Sequence, residues 1–250
     1  MKEKYQIDIT EIQKWLQDIN PNINASSYDY CKLGDDYSLK HLKEVFDSYN
    51  DTQILNGEAI KEIFFPTKFK DIFKIFISHS GVDKEIVKKF ANKIANIYNQ
   101  PCFVDWMVWD NIETLQKIID EKFCVSRRDE KGNVLTYNYN YRNYTTAHTH
   151  AMLSMALLDM IDQCDICIII KSPNSTLTKA NFGDITTLSP WIYEEVSYMN
   201  HIEKTRQLFS EGVGQTPNIS HPLDLRGFKV LTADKLSTLL HGDTFRFIDK

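Results

Sequence analysis

The chain has 250 residues, 42% of them apolar and 25% charged, with a formal net charge of −5. That is the profile of an ordinary globular protein long enough to bury a sizeable core, and it lacks the clustered Lys/Arg face of a duplex-binding protein. No apolar run approaches the roughly 20 residues of a membrane span, and Met1–Tyr5 has no signal-like apolar core, so the expectation is a cytoplasmic protein without nucleic-acid or membrane partners.

The five cysteines, Cys31, Cys102, Cys124, Cys164 and Cys167, are odd in number and scattered, which suits reduced thiols. Cys164-x-x-Cys167 has the spacing of a redox or zinc pair. It lies on an apolar run of strand length, however, and no second pair completes a tetrahedral site, so the two read as small buried residues and no metal is expected.

In chain order, residues 1–68 read as a helical N-terminal extension. Ile9, Ile12, Trp15, Leu16 and Ile19 recur at helical spacing, with Asp8 or Thr10 as cap. A polar stretch, Asn20 to Ser27, separates them from Leu39, Leu42, Val45, Phe46 and Tyr49. A short apolar stretch, Ile60 to Phe65, then ends at Pro66.

Residues 69–250 read as the main domain. Asp71 to Ile77 is a β-rich run ending in Ser78-His79-Ser80-Gly81. Val82 to Glu85 leads into a helix with Ile86, Phe90, Ile94 and Ile97 on one face, and Cys102 to Asp105 is the next strand. Strand, polar turn, helix, strand is a βαβ unit, so the sheet is expected to be parallel. Ser78 to Gly81 then sits at the carboxyl end of its strand, where such sheets bind ligands.

Ile112, Leu115, Ile118, Ile119 and Phe123 form an amphipathic helix. An insertion at about 124–146 follows, rich in tyrosine, and reads either as a lid or binding loop or as a β-hairpin around Gly132. From about Thr146 a helix buries Leu153, Ala156, Leu157 and Met160. His148 and His150 lie at its start, open to reading as metal ligands, cleft-lining groups or plain surface or core residues; no further ligands at suitable spacing accompany them. A buried strand at Cys164 to Ile170 leads to Lys171-Ser172. Gly212, Gly214 and Pro217 mark a loop, Gly227 to Leu231 a last strand, and Leu236, Leu239 and Leu240 a closing helix.

In Ser189-Pro190-Trp191-Ile192-Tyr193-Glu194-Glu195-Val196, Ser189 is a good N-cap and Pro190 fits the first helical position. Trp191 and Glu195, four apart, share a helix face. Glu194 is also within one turn of Trp191, so spacing alone does not separate the two carboxylates.

Taken together, Phe76-Ile77-Ser78-His79-Ser80-x-x-Asp83, Phe103-Val104-Asp105 and Ser189-x-Trp191-x-x-x-Glu195-Val196, in that order, resemble the three boxes of the TIR (Toll/interleukin receptor) domain family across roughly residues 70–200. The resemblance is nearest to bacterial and archaeal TIR-like proteins, including NAD-consuming sensors of the Thoeris type of anti-phage defence. It implies an α/β, flavodoxin-like parallel sheet of about five strands flanked by helices. It also implies an enzyme that cleaves the nicotinamide–ribose bond of NAD+, as a nucleosidase or ADP-ribosyl cyclase, with NAD+ as substrate and no resident cofactor.

Glu195 matches the family's catalytic position. Ser78, His79, Ser80, Asp83, Asp105, Trp109, Ser172, Trp191 and His148 are the candidate substrate-binding residues. Within that set Asp83 also reads as a helix cap, Asp105 as a residue that orients the family's BB loop, and Trp109 as core packing. The implied partners are other copies of the chain, through the TIR domain or the N-terminal extension, and a downstream effector that senses the product. The glycine that usually follows the acidic residue of the second box is missing from Trp106 to Glu113.

A lone carboxylate suits this chemistry. Nicotinamide departs neutral, so no general acid is needed, whereas the ribose becomes oxocarbenium-like and gains from a fixed negative charge. The paired carboxylates of a glycosidase are therefore not required. Two rival readings remain: a non-catalytic TIR interaction module, and a relative of nucleoside deoxyribosyltransferases, which share a flavodoxin-like sheet and a catalytic Glu.

Overall fold

A computed structural model describes residues 2–18, 40–42, 44–46, 55–69, 72–109, 111–178, 185–201, 221–222 and 224–241. The segments Asn20 to Ser27 and Gly212 to Pro217 lie outside them, as do Ile19, Cys31, Leu39 and Tyr49. The chain divides into two units: residues 1–29, 70–104 and 160–250 form the first, and 30–69 with 105–159 the second.

The first unit is a flavodoxin-like α/β layer structure. Its sheet has five strands, all parallel, in the order β10-β1-β6-β2-β3. These are β1 (Glu3–Asp8), β2 (Ile75–Ser78), β3 (Cys102–Phe103), β6 (Ile166–Lys171) and β10 (Lys229–Leu231). Residues of β2 and β6 are almost entirely apolar and buried, as a parallel sheet covered on both faces demands. Three helices, α1 (Ile9–Asp18), α3 (Lys84–Tyr98) and α8 (Ala233–His241), pack against one another. Trp15 of α1 meets Phe90 of α3 edge to face at 5.5 Å and donates its indole N–H to Ser237 Oγ of α8 at 3.0 Å. Asp8 caps α1 by accepting from Thr10 N at 3.0 Å. At the end of α3, Asn99 turns the chain toward β3 at φ 49°, a left-handed conformation that Asn tolerates.

The expected boundary at residue 68 needs correction. The N-terminus is not a separate helical extension, because β1 lies inside the sheet, pairing six residues with β6 and three with β10. Alternation along β1 turns Lys4 and Gln6 to one face and Tyr5 and Ile7 to the other. Lys4 and Gln6 are both buried: Lys4 Nζ donates to Asn200 Oδ1 at 3.1 Å and lies 5.1 Å from the Phe228 ring, and Gln6 Nε2 donates to the Phe228 carbonyl at 3.3 Å. These partners offset the cost of polar groups on an interior strand. A small antiparallel sheet, β7 (Leu177–Thr178), β8 (Ile185–Thr187) and β9 (His221–Pro222), completes the strands of this unit, with β8 leading into α7 (Pro190–His201).

The second unit holds α2 (Gly57–Phe64), α4 (Asp105–Val108), α5 (Ile112–Phe123), the strands β4 (Val125–Arg128) and β5 (Val134–Tyr137), and most of α6 (Tyr139–Gln163). Asn56 and Asn111 cap α2 and α5 through their side-chain oxygens. The insertion is a β-hairpin: β4 and β5 pair antiparallel across a turn in which Asp129 accepts from Lys131 N and Asn133 N and Gly132 adopts φ 85°. Helix α6 starts at Tyr139, earlier than the apolar pattern marks. Buried Asp120 of α5 anchors it by accepting from Arg142 Nε at 2.9 Å and Thr145 Oγ1 at 3.1 Å. Lys61 of α2 ties to Asp159 of α6 at 3.0 Å.

Candidate active site

The site forms where β2 ends and α7 begins. Ser78 is the last residue of β2, at the carboxyl edge of the sheet, where ligands of such folds bind. Helix α7 starts as its sequence foretells: Pro190 is its first residue and Ser189 Oγ accepts from Ile192 N at 3.3 Å. Ser189 N in turn donates to Oγ1 of buried Thr187, which fixes the entry from β8.

One and a half turns along, Glu195 points inward. Ser78 Oγ donates to Glu195 Oε2 at 2.5 Å, and the two residues are 1% and 6% exposed. A short O–H···O bond to a carboxylate is the charge-assisted kind, about twice as strong as a neutral one. Glu194 is different: it is half-buried and accepts from Tyr198 OH at 2.6 Å, one helical turn away. Burial and partner thus separate two carboxylates that spacing leaves equivalent. Trp191 is half-buried on the same helix face as Glu195.

Sheet register places further groups beside Ser78. Ser78 pairs with Ile169, and Ile169 pairs with Gln6 on its other side, so the three share one row and one face. Gln6 therefore stands two strand spacings, about 9–10 Å, from Ser78. Two residues back along each strand, on the same face, the row is Phe76, Cys167 and Lys4. Burial pushes the Cys167 thiol up to about 12, and it also holds the Cys102 and Cys164 thiols in their neutral form, so the Cys164-x-x-Cys167 pair is apolar packing. Among the described residues no cluster of three His, Cys, Asp or Glu side chains could hold a metal.

His79, half-buried, and Ser80, 9% exposed, follow Ser78 in the loop leaving β2. Ser80 Oγ accepts from Val82 N at 3.4 Å, which caps the 3-10 turn Gly81–Asp83.

Asp83 and Ser172 come together, but as partners of each other. Ser172 Oγ donates to Asp83 Oδ2 at 2.5 Å, Asn174 Nδ2 donates to Asp83 Oδ1 at 2.7 Å, and Ser172 Oγ accepts from Asn174 N and Ser175 N, both at 3.1 Å. One hydroxyl proton and two lone pairs are all that a serine has, so Ser172 retains no capacity for a ligand. The expectation of substrate contact is corrected there to a latch joining the loops after β2 and β6. Asp83 makes no side-chain cap at α3.

Asp105, Trp109 and His148 belong to the second unit. Trp109 is corrected to a core residue: it is 3% exposed, meets Phe65 edge to face at 5.6 Å and donates its indole N–H to the Pro66 carbonyl at 2.9 Å, leaving no ring face open for stacking. Asp105 opens α4, and its Oδ1 is buried without a hydrogen-bond partner among the described residues. His148 is exposed on α6, edge-on to Tyr144 at 4.5 Å.

Sequence reasoning missed Gln6, Lys4 and Asn174. Lys4 and Gln6 sit on a strand that the helical spacing beginning at Ile9 overshadowed. Asn174 lies in a Ser-Pro-Asn-Ser turn, where Asn is common for its turn chemistry alone.

No family model matches the chain, and neither a curated protein nor a solved structure does. No described helix is long and apolar enough to cross a membrane.

Proposed function

We propose that the chain is a TIR-type NAD+ nucleosidase or ADP-ribosyl cyclase with Glu195 as its catalytic residue. The observation that carries this reading is the short hydrogen bond from Ser78, in the first TIR-like box, to Glu195, in the third. Residues 117 positions apart in sequence meet at the carboxyl edge of a flavodoxin-like sheet, where one oriented carboxylate is the element this reaction requires.

In the reaction the bond between ribose C1′ and the nicotinamide nitrogen breaks and its electron pair leaves with nicotinamide, which becomes neutral. Positive charge develops on C1′ and the ring oxygen. The Glu195 carboxylate, held in place beforehand by Ser78, stabilises that charge without reorganising as it forms. Water capture forms a C1′–O bond and releases a proton, giving ADP-ribose; capture by a nitrogen of the adenine gives a cyclic product. A product of this kind would serve as a signal to a separate effector, in keeping with a role in anti-phage immunity.

Incubating the purified chain with NAD+, alone and clustered on a scaffold, and separating products by chromatography tests the reading. Nicotinamide release supports it. NAD+ left intact under both conditions would favour the interaction-module reading, and activity confined to deoxynucleosides would favour the deoxyribosyltransferase relative.

A further inference from the structure

Helix α6 is 25 residues long and carries two apolar faces. One is buried: Thr149, Leu153, Ala156 and Leu157 are each at most 9% exposed. The other, Tyr141, Tyr144, His148, Ala151 and Met155, is exposed, with Tyr141 60%, Tyr144 68% and Met155 51% open to solvent. The steps along this outer stripe are 3, 4, 3 and 4 residues, the spacing of a helix–helix seam. Surface helices ordinarily carry charge on the solvent side. Here the 16 residues from Asn143 to Leu158 contain no Asp, Glu, Lys or Arg. Tyr and Met with depleted charge are the composition of an interface core.

We infer that the outer stripe of α6 is a docking surface for a second copy of this chain, paired antiparallel about His148. The stripe is self-complementary only in that sense. Antiparallel pairing sets Tyr144 opposite Ala151 and Tyr141 opposite Met155, large against small and ring against thioether, with His148 beside its own twin. Parallel pairing would set Tyr against Tyr and Ala against Ala, crowding one end and leaving a gap at the other. Between Arg142 and Asp159 no formal charge opposes another across the antiparallel seam.

A specific interface needs about 1,000 Å² in total, so the five seam positions and their flanks must bury about 500 Å² per copy, which places the pair in the range of a reversible dimer. This inference stands apart from the Glu195 reading, and neither depends on the other.

Sedimentation velocity of the full chain from about 1 to about 200 μM, a range that brackets an interface of this size, reads the association. The chain is expected to pass from monomer to dimer, Tyr144→Glu and Ala151→Glu to remain monomeric across the range with unchanged circular dichroism, and Lys131→Glu on the hairpin turn to behave as the parent. Single cysteines read the orientation under mild oxidation. His148→Cys forms a disulfide-linked dimer above the parent's background. Tyr141→Cys does not, because its twin lies about 21 Å away along the axis at 1.5 Å per residue, but mixed with Met155→Cys it does. A parent that stays monomeric, a dimer indifferent to Tyr144→Glu, or Tyr141→Cys cross-linking to itself would each overturn the inference.

Discussion

Ser78 donates its hydroxyl proton to Glu195 across 2.5 Å, joining the end of the second strand of the sheet's own chain order to the second turn of α7. Both residues are buried, so the bond works in a medium where it is strong and where an unpartnered carboxylate is costly. On the proposed reading, Ser78 acts by positioning Glu195. Ser78→Ala is expected to cost about 1.5–3 kcal/mol of stability, the worth of a hydrogen bond to a charged group. If the chain cleaves NAD+ as proposed, the same substitution should lower kcat about 10–100-fold, the effect of a small misplacement of a catalytic group, with KM little changed. Ser78→Thr, which keeps the hydroxyl, should recover most of that loss. Urea denaturation and steady-state kinetics check both parts.

The latch of Asp83 with Ser172 and Asn174 makes a different prediction. Asp83→Ala leaves the buried Ser172 hydroxyl without its acceptor, exposed Asn174 being able to turn to water, and is expected to destabilise the fold by about 1–3 kcal/mol, with Ser172→Ala costing a similar amount. Differential scanning calorimetry should show lowered Tm for both. Unchanged Tm together with a raised KM for NAD+ would return these residues to a substrate-binding role.

Strand β1 is held on both sides, so its loss cannot be local. Ile7, fully buried, is expected to cost about 2–5 kcal/mol on replacement by Ala. Deleting residues 2–8 would expose the edges of β6 and β10 together and should leave the chain aggregated or unfolded, as judged by light scattering and circular dichroism. A truncated chain that stays folded and soluble would restore the N-terminal strand to the status of an appendage.

How much of this was legible beforehand depended on the kind of signal each residue carried. The βαβ unit, the capped start of α7 and the buried character of β6 follow from period, caps and apolar runs, and the structure has them. Strand β1 was hidden because Lys4 and Gln6 break its apolar pattern; their burial rests on Asn200 and Phe228, which no local pattern brings near. The insertion admitted a lid or a hairpin because alternating tyrosines and a lone glycine serve both; the turn around Asp129 decided for the hairpin. Glu194 and Glu195 were equivalent by spacing and differ by burial, a tertiary property. Trp109 read both as a ring for stacking and as core packing, and its burial with the indole N–H donated to the Pro66 carbonyl decides for the core.

Buried thiols give the pH prediction. The Cys167 pKa in the folded chain is raised to about 12 by burial, above its value in the unfolded chain. Below the unfolded pKa, near 8.5, both states hold the proton and stability is unaffected. As pH rises from there toward 12, the unfolded chain releases the proton and the folded chain does not, so unfolding becomes more favourable and stability falls. Cys102 and Cys164 act in the same direction. Urea midpoints measured from pH 8 to pH 10.5 should decline, and Cys167→Ala, though less stable at pH 8, should decline less steeply.

The proposed function rests on Glu195, and not its neighbour Glu194, carrying the chemistry. NAD+ consumption by the parent chain, Glu194→Gln and Glu195→Gln, measured at matched concentration and matched circular dichroism, tests it directly. Glu194→Gln is expected to stay within about threefold of the parent, while Glu195→Gln loses a factor on the order of 10³, the scale of removing a principal electrostatic stabiliser. A Glu195→Gln protein that still releases nicotinamide at the parent's rate would contradict it.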